Sequence, residues 1–250
     1  MSHQIQSSDF DFSGQRVLVT GAAGGIGGAM ARSFAAHGAE LILADRDNAA
    51  LEPVANDLEN ARTVVFDQGD PAGIDALVRA AGPIDVLLNN AGILRVAPVV
   101  EMAAADIIAL ININFTGAVL VARGFARGMA ERQRGVILNT SSQLAFSGGA
   151  SKAVYAATKA AVRHFTASLA AELAPANVRV AAIAPGRTLS PMTAPYLSAP
   201  GAQEEGLLHI PSGRYGNVDE MGKLALFLAS PLASYVVGET FVADGGYVTV

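Results

Sequence analysis

Short apolar runs alternate along the chain with longer segments whose apolar residues recur at helical spacing. The runs are Arg16–Thr20, Glu40–Ala44, Thr63–Phe66, Ile84–Leu88, Gly135–Asn139, Val178–Ile183 and Thr240–Val242. They are rich in Val, Ile and Leu and do not alternate with polar residues, as expected of strands covered on both faces. Helices are predicted over Gly25–His37, Ala49–Asn60, Pro71–Ala80, Met102–Glu131, Lys152–Leu173 and Val218–Leu228. A repeated strand–helix order predicts an α/β fold: one parallel sheet with right-handed crossovers and helices on both faces. The segment Ser190–Ser212 breaks the rhythm. It carries Pro191, Pro195, Pro200, Gly201 and Pro211 and reads as a long binding loop or lid.

Composition narrows the classes. With 51% hydrophobic and 16% charged residues in 250, the chain can bury a large core and is not a disordered segment. It has no cysteine, hence no disulfide, thiolate nucleophile or zinc-thiolate site, and no metal is expected. A net charge of −5 argues against nucleic acid as a partner. The start has neither a basic nor an apolar leader region, and no run of 18 apolar residues stands out, so a soluble, cytoplasmic protein is expected, without a membrane partner.

Two stretches carry chemistry. The first predicted strand runs into Thr20–Gly27 (TGAAGGIG) and then a helix. Glycines allow a tight turn and close backbone approach, and a helix N-terminus offers free N–H groups around Gly25, Ile26 and Gly27 to a pyrophosphate. The spacing Gly21-x3-Gly25-x-Gly27 is not the usual GxGxxG, and no Gly-Lys-Ser/Thr follows to make a P-loop. Asp45, 18 residues past Gly27, ends the second predicted strand, where a carboxylate would accept the adenosine ribose hydroxyls and repel a 2′-phosphate. This favours NAD. Asp67 is placed to meet the adenine amino group, while Asp70 before Pro71 suits a helix N-cap. The fourth predicted strand runs into Asn89-Asn90-Ala91-Gly92, a tight turn beside the expected cofactor.

The second stretch is Tyr155-x3-Lys159, which sets a phenol and an ammonium on one helical face. An adjacent ammonium is expected to lower the phenol pKa and make Tyr155 a proton donor and acceptor. With only 3 lysines against 14 arginines and 5 tyrosines in the chain, this pairing is uncommon by chance.

Taken together, TGxxxGxG at Thr20–Gly27, NNAG at Asn89–Gly92, Asn114, Ser142 and Tyr155/Lys159 resemble the short-chain dehydrogenase/reductase family over nearly the whole chain. Ser142 lies 13 residues before Tyr155. Pro185-Gly186 and Asp244-Gly245-Gly246 also match. The resemblance implies a single Rossmann-type, doubly wound domain of about seven strands, residues 1–250, with a substrate loop at 190–212. It implies hydride exchange with a secondary alcohol or ketone. In that scheme Tyr155 transfers the proton, Lys159 lowers its pKa, Ser142 stabilises the substrate oxygen and Asn114 holds a proton-relay water. Pro185, Gly186, Thr188 and Ser190 would line the nicotinamide; the family often has PGxxxT, and Ser190 keeps a hydroxyl there. It implies a homotetramer built through the helices Met102–Glu131 and Lys152–Leu173 and the last strand.

Within the family, Phe12–Gly21 and Ser141–Gln143 resemble xylulose- and carbonyl-reductase-like members, which usually lack an acid at the Asp45 position. Ala91–Arg95 together with Asp45 resembles NAD-linked diol dehydrogenases. Gln143 beside Ser142 suits a vicinal hydroxyl, which makes a sugar, polyol or hydroxyketone the first expectation. A cyclic or carboxylated diol met by Arg187 or Arg95 is the alternative. A non-catalytic NAD-binding sensor would not need the Ser-Tyr-Lys set.

Overall fold

Apolar runs with no polar face can only be buried side by side, and that is how they assemble. The computed structural model describes residues 6–197 and 206–250. Seven parallel strands form one sheet: β1 (Arg16–Thr20), β2 (Glu40–Asp45), β3 (Ala61–Val65), β4 (Val86–Asn89), β5 (Gly135–Thr140), β6 (Val178–Pro185) and β9 (Thr240–Ala243). Their order is β3-β2-β1-β4-β5-β6-β9. Val19 stands beside Leu43 on one side and Leu88 on the other. The chain leaves β1 toward β2 and returns on its other side at β4. The carboxyl ends of β1 and β4 therefore flank a crevice at the point where the winding reverses.

Successive strand residues point to opposite faces and build two cores. On one face Val17, Val19 and Leu138 pack on Met30 and Phe34 of α1 (Gly25–Ala35). Met221, Ala225 and Leu228 of α8 (Val218–Ala229) complete that layer. On the other face Leu18, Leu87, Ile137 and Val180 meet Leu77 of α3 (Pro71–Ala81). Val121, Phe125 and Met129 of α5 (Ala118–Glu131) and Leu169 of α6 (Ala153–Leu173) fill the rest. The remaining paired helix, α2 (Asn48–Asn56), is capped by the Asp47 carboxylate, which accepts the Ala50 N–H.

All seven predicted strands exist, with ends shifted by up to two residues. The sharper difference is in the helix expected over Met102–Glu131. It begins as α4 (Ala104–Ile111), widens through a π turn at Asn112–Gly117 and continues as α5. An outside donor explains the widening: Gln68 Nε2 donates to the Ile113 carbonyl at 2.8 Å and to the Ala91 carbonyl at 3.0 Å. A foreign donor inside the ladder displaces the regular helical bond. The whole helix, 28 residues, has a mean hydropathy of 1.8 over its most apolar window, long and apolar enough to cross a membrane by length and composition. It is not an unbroken apolar run, since Asp106, Asn112, Asn114, Thr116, Arg123 and Arg127 interrupt it. Its inner face lies on the sheet, while Ile108 and Ile111 stand exposed.

The excursion after β6 is also more ordered than a loop. β7 (Thr188–Leu189) pairs in parallel with β8 (Gly216–Asn217), and a short helix, α7, covers Ala194–Leu197. Residues 198–205 of the predicted loop, with Pro200 and Gly201, lie outside the described residues.

Candidate active site

The crevice holds a cleft of about 870 Å³ that runs from the glycine turn to Tyr155 and Lys159. The turn needs its glycines. Gly21 has φ +67°, and a Cβ on it would lie 2.8 Å from Ala91 Cα. A Cβ on Gly27 would strike the Gly21 carbonyl. Gly24 caps α1 with no side-chain bond, and no acid sits in the first turn, so the N–H groups there stay available to an anion. Thr20 Oγ1 accepts the N–H of Asn90 (3.0 Å) and of Ala91 (3.1 Å). Asn90 Nδ2 returns a bond to the Thr20 carbonyl at 3.1 Å. Asn90 thus stitches the two turns together while lining the cleft with Ala91 and Gly92.

Asp45 closes one end. Its Oδ2 accepts the Ala23 N–H of the glycine turn at 3.1 Å, and its Oδ1 accepts the Arg46 N–H at 2.7 Å. A second cavity of about 950 Å³ continues from Asp45 past Arg46 and Asp67. Asp67 Oδ1 accepts the Gly69 N–H at 2.7 Å, and Asp70 caps α3 as expected. At the other end Pro185, Gly186, Thr188 and Ser190 form the wall. Thr193 Oγ1 lies 3.0 Å from Ser190 Oγ and donates to the Thr188 carbonyl at 2.6 Å. A long cleft with free N–H groups at the glycine turn and the Asp45 carboxylate at one end fits a dinucleotide.

The chemical end is built by β5, the turn after it and α6. Ser142 is buried and caps the short 3-10 turn Gln143–Ala145, its Oγ accepting the Leu144 N–H at 3.2 Å. Lys159 is buried; Nζ donates to the Thr140 carbonyl at 2.8 Å and lies 5.9 Å from the Tyr155 ring centre. Burial, not charge pairing, sets both acidities. It pushes the Tyr155 phenol up to about 12, with the Ser142 hydroxyl opposing, and pulls Lys159 down to about 8. The expectation that Lys159 lowers the Tyr155 pKa is corrected for this state. Asn114 sits in the π turn, buried. Its Oδ1 accepts the Ile93 N–H at 2.8 Å and its Nδ2 donates to the Ile93 carbonyl at 2.9 Å. The side chain expected to hold a water is occupied by backbone.

A further cavity of about 1280 Å³ opens beyond Ser142, Tyr155 and Gly186, and its walls include Gln143 and Arg187. Gln143 is 5% exposed, and its Oε1 has no hydrogen-bond partner among the described residues. Arg95 is elsewhere. Its Nε donates to Asp106 Oδ1 at 3.1 Å, and it borders the Asp67 cavity, so the expected substrate role is not supported by its position. Lys152 lines the same outer cavity and was not singled out from the sequence. Its position three residues before Tyr155 was the available signal.

A family model for short chain dehydrogenases matches residues 15–200. The chain belongs to the short-chain dehydrogenase family. The galactitol 2-dehydrogenase (L-tagatose-forming) of Cereibacter sphaeroides is 39% identical, over 95% of this chain and 96% of that protein. The gluconate 5-dehydrogenase of Gluconobacter oxydans is 36% identical, over 95% and 96% respectively. A crystal structure of a gluconate 5-dehydrogenase from Burkholderia cenocepacia, in complex with NADP and tartrate, superposes with a TM-score of 0.92. It is 33% identical and the match covers 98% of this chain and 99% of that one.

As a short-chain dehydrogenase the chain is an oxidoreductase with a nicotinamide cofactor site. Its fold places the Tyr155 phenol and the Ser142 hydroxyl where the dinucleotide cleft and the outer cavity meet, and the buried Lys159 on the wall of the cleft.

Proposed function

We propose that this dehydrogenase exchanges hydride between NAD and a secondary alcohol or ketone carbon of a sugar, polyol or hydroxyketone. The observation that carries the reading is the convergence of Ser142 and Tyr155 on the boundary between the dinucleotide cleft and a second cavity. When bound, the nicotinamide accepts or supplies the hydride. Tyr155 donates its phenolic proton to the carbonyl oxygen during reduction and takes it back during oxidation. Ser142 donates a hydrogen bond to the same oxygen and stabilises its developing charge. Lys159 holds the nicotinamide ribose, and Asn114 positions the backbone at Ile93. Asp45 supports NAD over NADP, although the Burkholderia relative binds NADP. Relatives acting on galactitol and gluconate support the substrate class.

The described part of 190–212 supports its assignment as substrate loop, since Thr193, Tyr196 and His209 reach the outer cavity. Exposed Ile108 and Ile111 on α4 support burial in a homotetramer. The alternative, a carboxylated diol, is favoured by Arg187 in that cavity. The test is a panel of polyols, sugars, secondary alcohols and cyclic diols with NAD and NADP, read by NADH or NADPH absorbance. Turnover of cyclic diols alone would favour the alternative; no turnover of any alcohol would overturn hydride transfer.

A further inference from the structure

The outer cavity is unbalanced in charge. Lys152 and Arg187 both line it, and no Asp or Glu does among the described residues. Neither side chain makes a hydrogen bond or ion pair with a described residue; Arg187 rests over the Tyr247 ring, 5.8 Å from its centre. On its far side Arg187 borders a groove with Glu220 and Asp244. Those acids are engaged. Glu220 receives two bonds from Arg214, at 2.6 and 2.9 Å, and Asp244 accepts the N–H groups of Gly246 and Val248. Lys152 also stands at the N-cap of α6, which has no acid in its first turn. A cation there opposes the helix dipole and is unfavourable unless something negative arrives. Burial, and after it the Arg187 charge, lower the Lys152 pKa, and no acidic side chain lines the cavity beside them among the described residues.

Gln143 lines the same cavity, while its Oε1 is buried against Gly186 and has no partner among the described residues. Tyr155 follows Lys152 by one helical turn, so the reacting carbon and the charged end of one small molecule fit between them.

We propose that Lys152 and Arg187 form an anion subsite, which makes the preferred substrate a polyhydroxy acid anion, carboxylate or phosphate, rather than a neutral polyol. The acid group lies between the two cations, and the carbon being oxidised or reduced lies at Ser142 and Tyr155. This rests on the hydride-transfer reading above for which end of the substrate reacts, but not for the binding of the anion.

The test compares a six-carbon aldonate, the corresponding neutral hexitol and the hexitol phosphate, in wild type and in Lys152→Met, Lys152→Arg and Arg187→Met. NADH binding serves as the check that each variant is folded. An acid substrate is expected to exceed the neutral hexitol in kcat/KM by at least about tenfold, chiefly through KM. Each Met variant should lower the acid-to-hexitol ratio by about tenfold, and Lys152→Arg should restore most of it. Aldonate or phosphate dominance identifies which acid the subsite takes. Equal use of hexitol and both acids, or Met variants that lower all substrates alike, would overturn the proposal. Calorimetric titration of each acid into the enzyme with NADH separates the two readings. Charge-dependent binding without turnover would sustain the subsite and remove the hydride-transfer reading. Absence of acid binding would remove the subsite whatever the turnover of hexitol.

Discussion

Lys159 Nζ lies 5.9 Å from the centre of the Tyr155 ring and donates its hydrogen bond to the Thr140 carbonyl. At neutral pH the pair is therefore a neutral phenol beside a buried ammonium whose hydrogen bond goes elsewhere, not a phenolate and an ammonium in contact. Burial acts on both members, raising one pKa and lowering the other. A neutral Tyr155 is ready to donate a proton, which suits carbonyl reduction.

Tyr155→Phe is expected to lower kcat by about 10²- to 10⁴-fold, the usual contribution of a general acid–base group. NADH binding, followed by fluorescence, should change little. In wild type, carbonyl reduction should be nearly flat through neutral pH, while alcohol oxidation should climb as pH rises, because oxidation needs the deprotonated phenol. A variant with wild-type kcat would remove Tyr155 from the chemistry.

Lys159→Met is expected to abolish turnover and yet raise the stability of the cofactor-free protein at pH 7. The folded pKa of Lys159 is about 8, against an ordinary 10.5. Below about pH 8 the folded state carries a buried charge, at a cost on the order of 3 kcal/mol. Between about 8 and 10.5 the unfolded state holds the extra proton, so wild-type stability gains on the variant as pH rises. Losing the bond to Thr140 takes back about 1 kcal/mol. The variant's Tm advantage should then be a few degrees at pH 7 and shrink toward pH 10. Tyr155 titrates in both proteins and cancels. A variant less stable than wild type at pH 7, or an advantage that grows with pH, would contradict the buried-charge argument.

Asn114→Ala should destabilise rather than merely slow the enzyme. It strips the Ile93 N–H and carbonyl of their partners, and each orphaned group costs about 1–3 kcal/mol. A Tm loss of roughly 5–10 °C is expected for a domain of this size. Calorimetry showing an unchanged Tm would return Asn114 to a purely chemical role.

These findings show which parts of the molecule a linear reading reaches. Strands such as Val86–Asn89 are legible because a run buried on both faces has no polar positions. The glycine turn and the Tyr155/Lys159 spacing are legible because their geometry is local. The π turn at Asn112–Gly117 is not, since its cause is Gln68, more than forty residues away and brought in by the sheet. Arg95 looked available until folding set it against Asp106. Lys152 looked like any helix-start residue until Arg187 came round from β6 to share its cavity. The sign of the Tyr155 shift was missed because spacing reveals a neighbouring charge but not the depth of burial.

Asp45 carries the cofactor prediction. Its two oxygens already accept the N–H groups of Ala23 and Arg46, which fixes the carboxylate at the mouth of the glycine turn. With NAD it can also accept from ribose hydroxyls, and charge-assisted bonds of this kind are worth roughly 1.5–3 kcal/mol. With NADP it faces a phosphate. Two unit charges at about 4 Å and an effective dielectric near 20 repel by about 4 kcal/mol. After relaxation of solvent and of Arg46, a preference of about 2 kcal/mol should remain, roughly 30-fold in kcat/KM. Asp45→Asn isolates the charge, because the amide oxygen keeps an acceptor for one of the N–H groups. It should bring the NAD-to-NADP ratio near unity. Asp45→Ser should go further and favour NADP, because Arg46, exposed beside the same cavity, gains a phosphate to pair with. Steady-state kinetics with both cofactors decide the matter: equal kcat/KM in wild type, or a ratio unmoved by either substitution, would mean that Asp45 serves the turn and not the choice of cofactor.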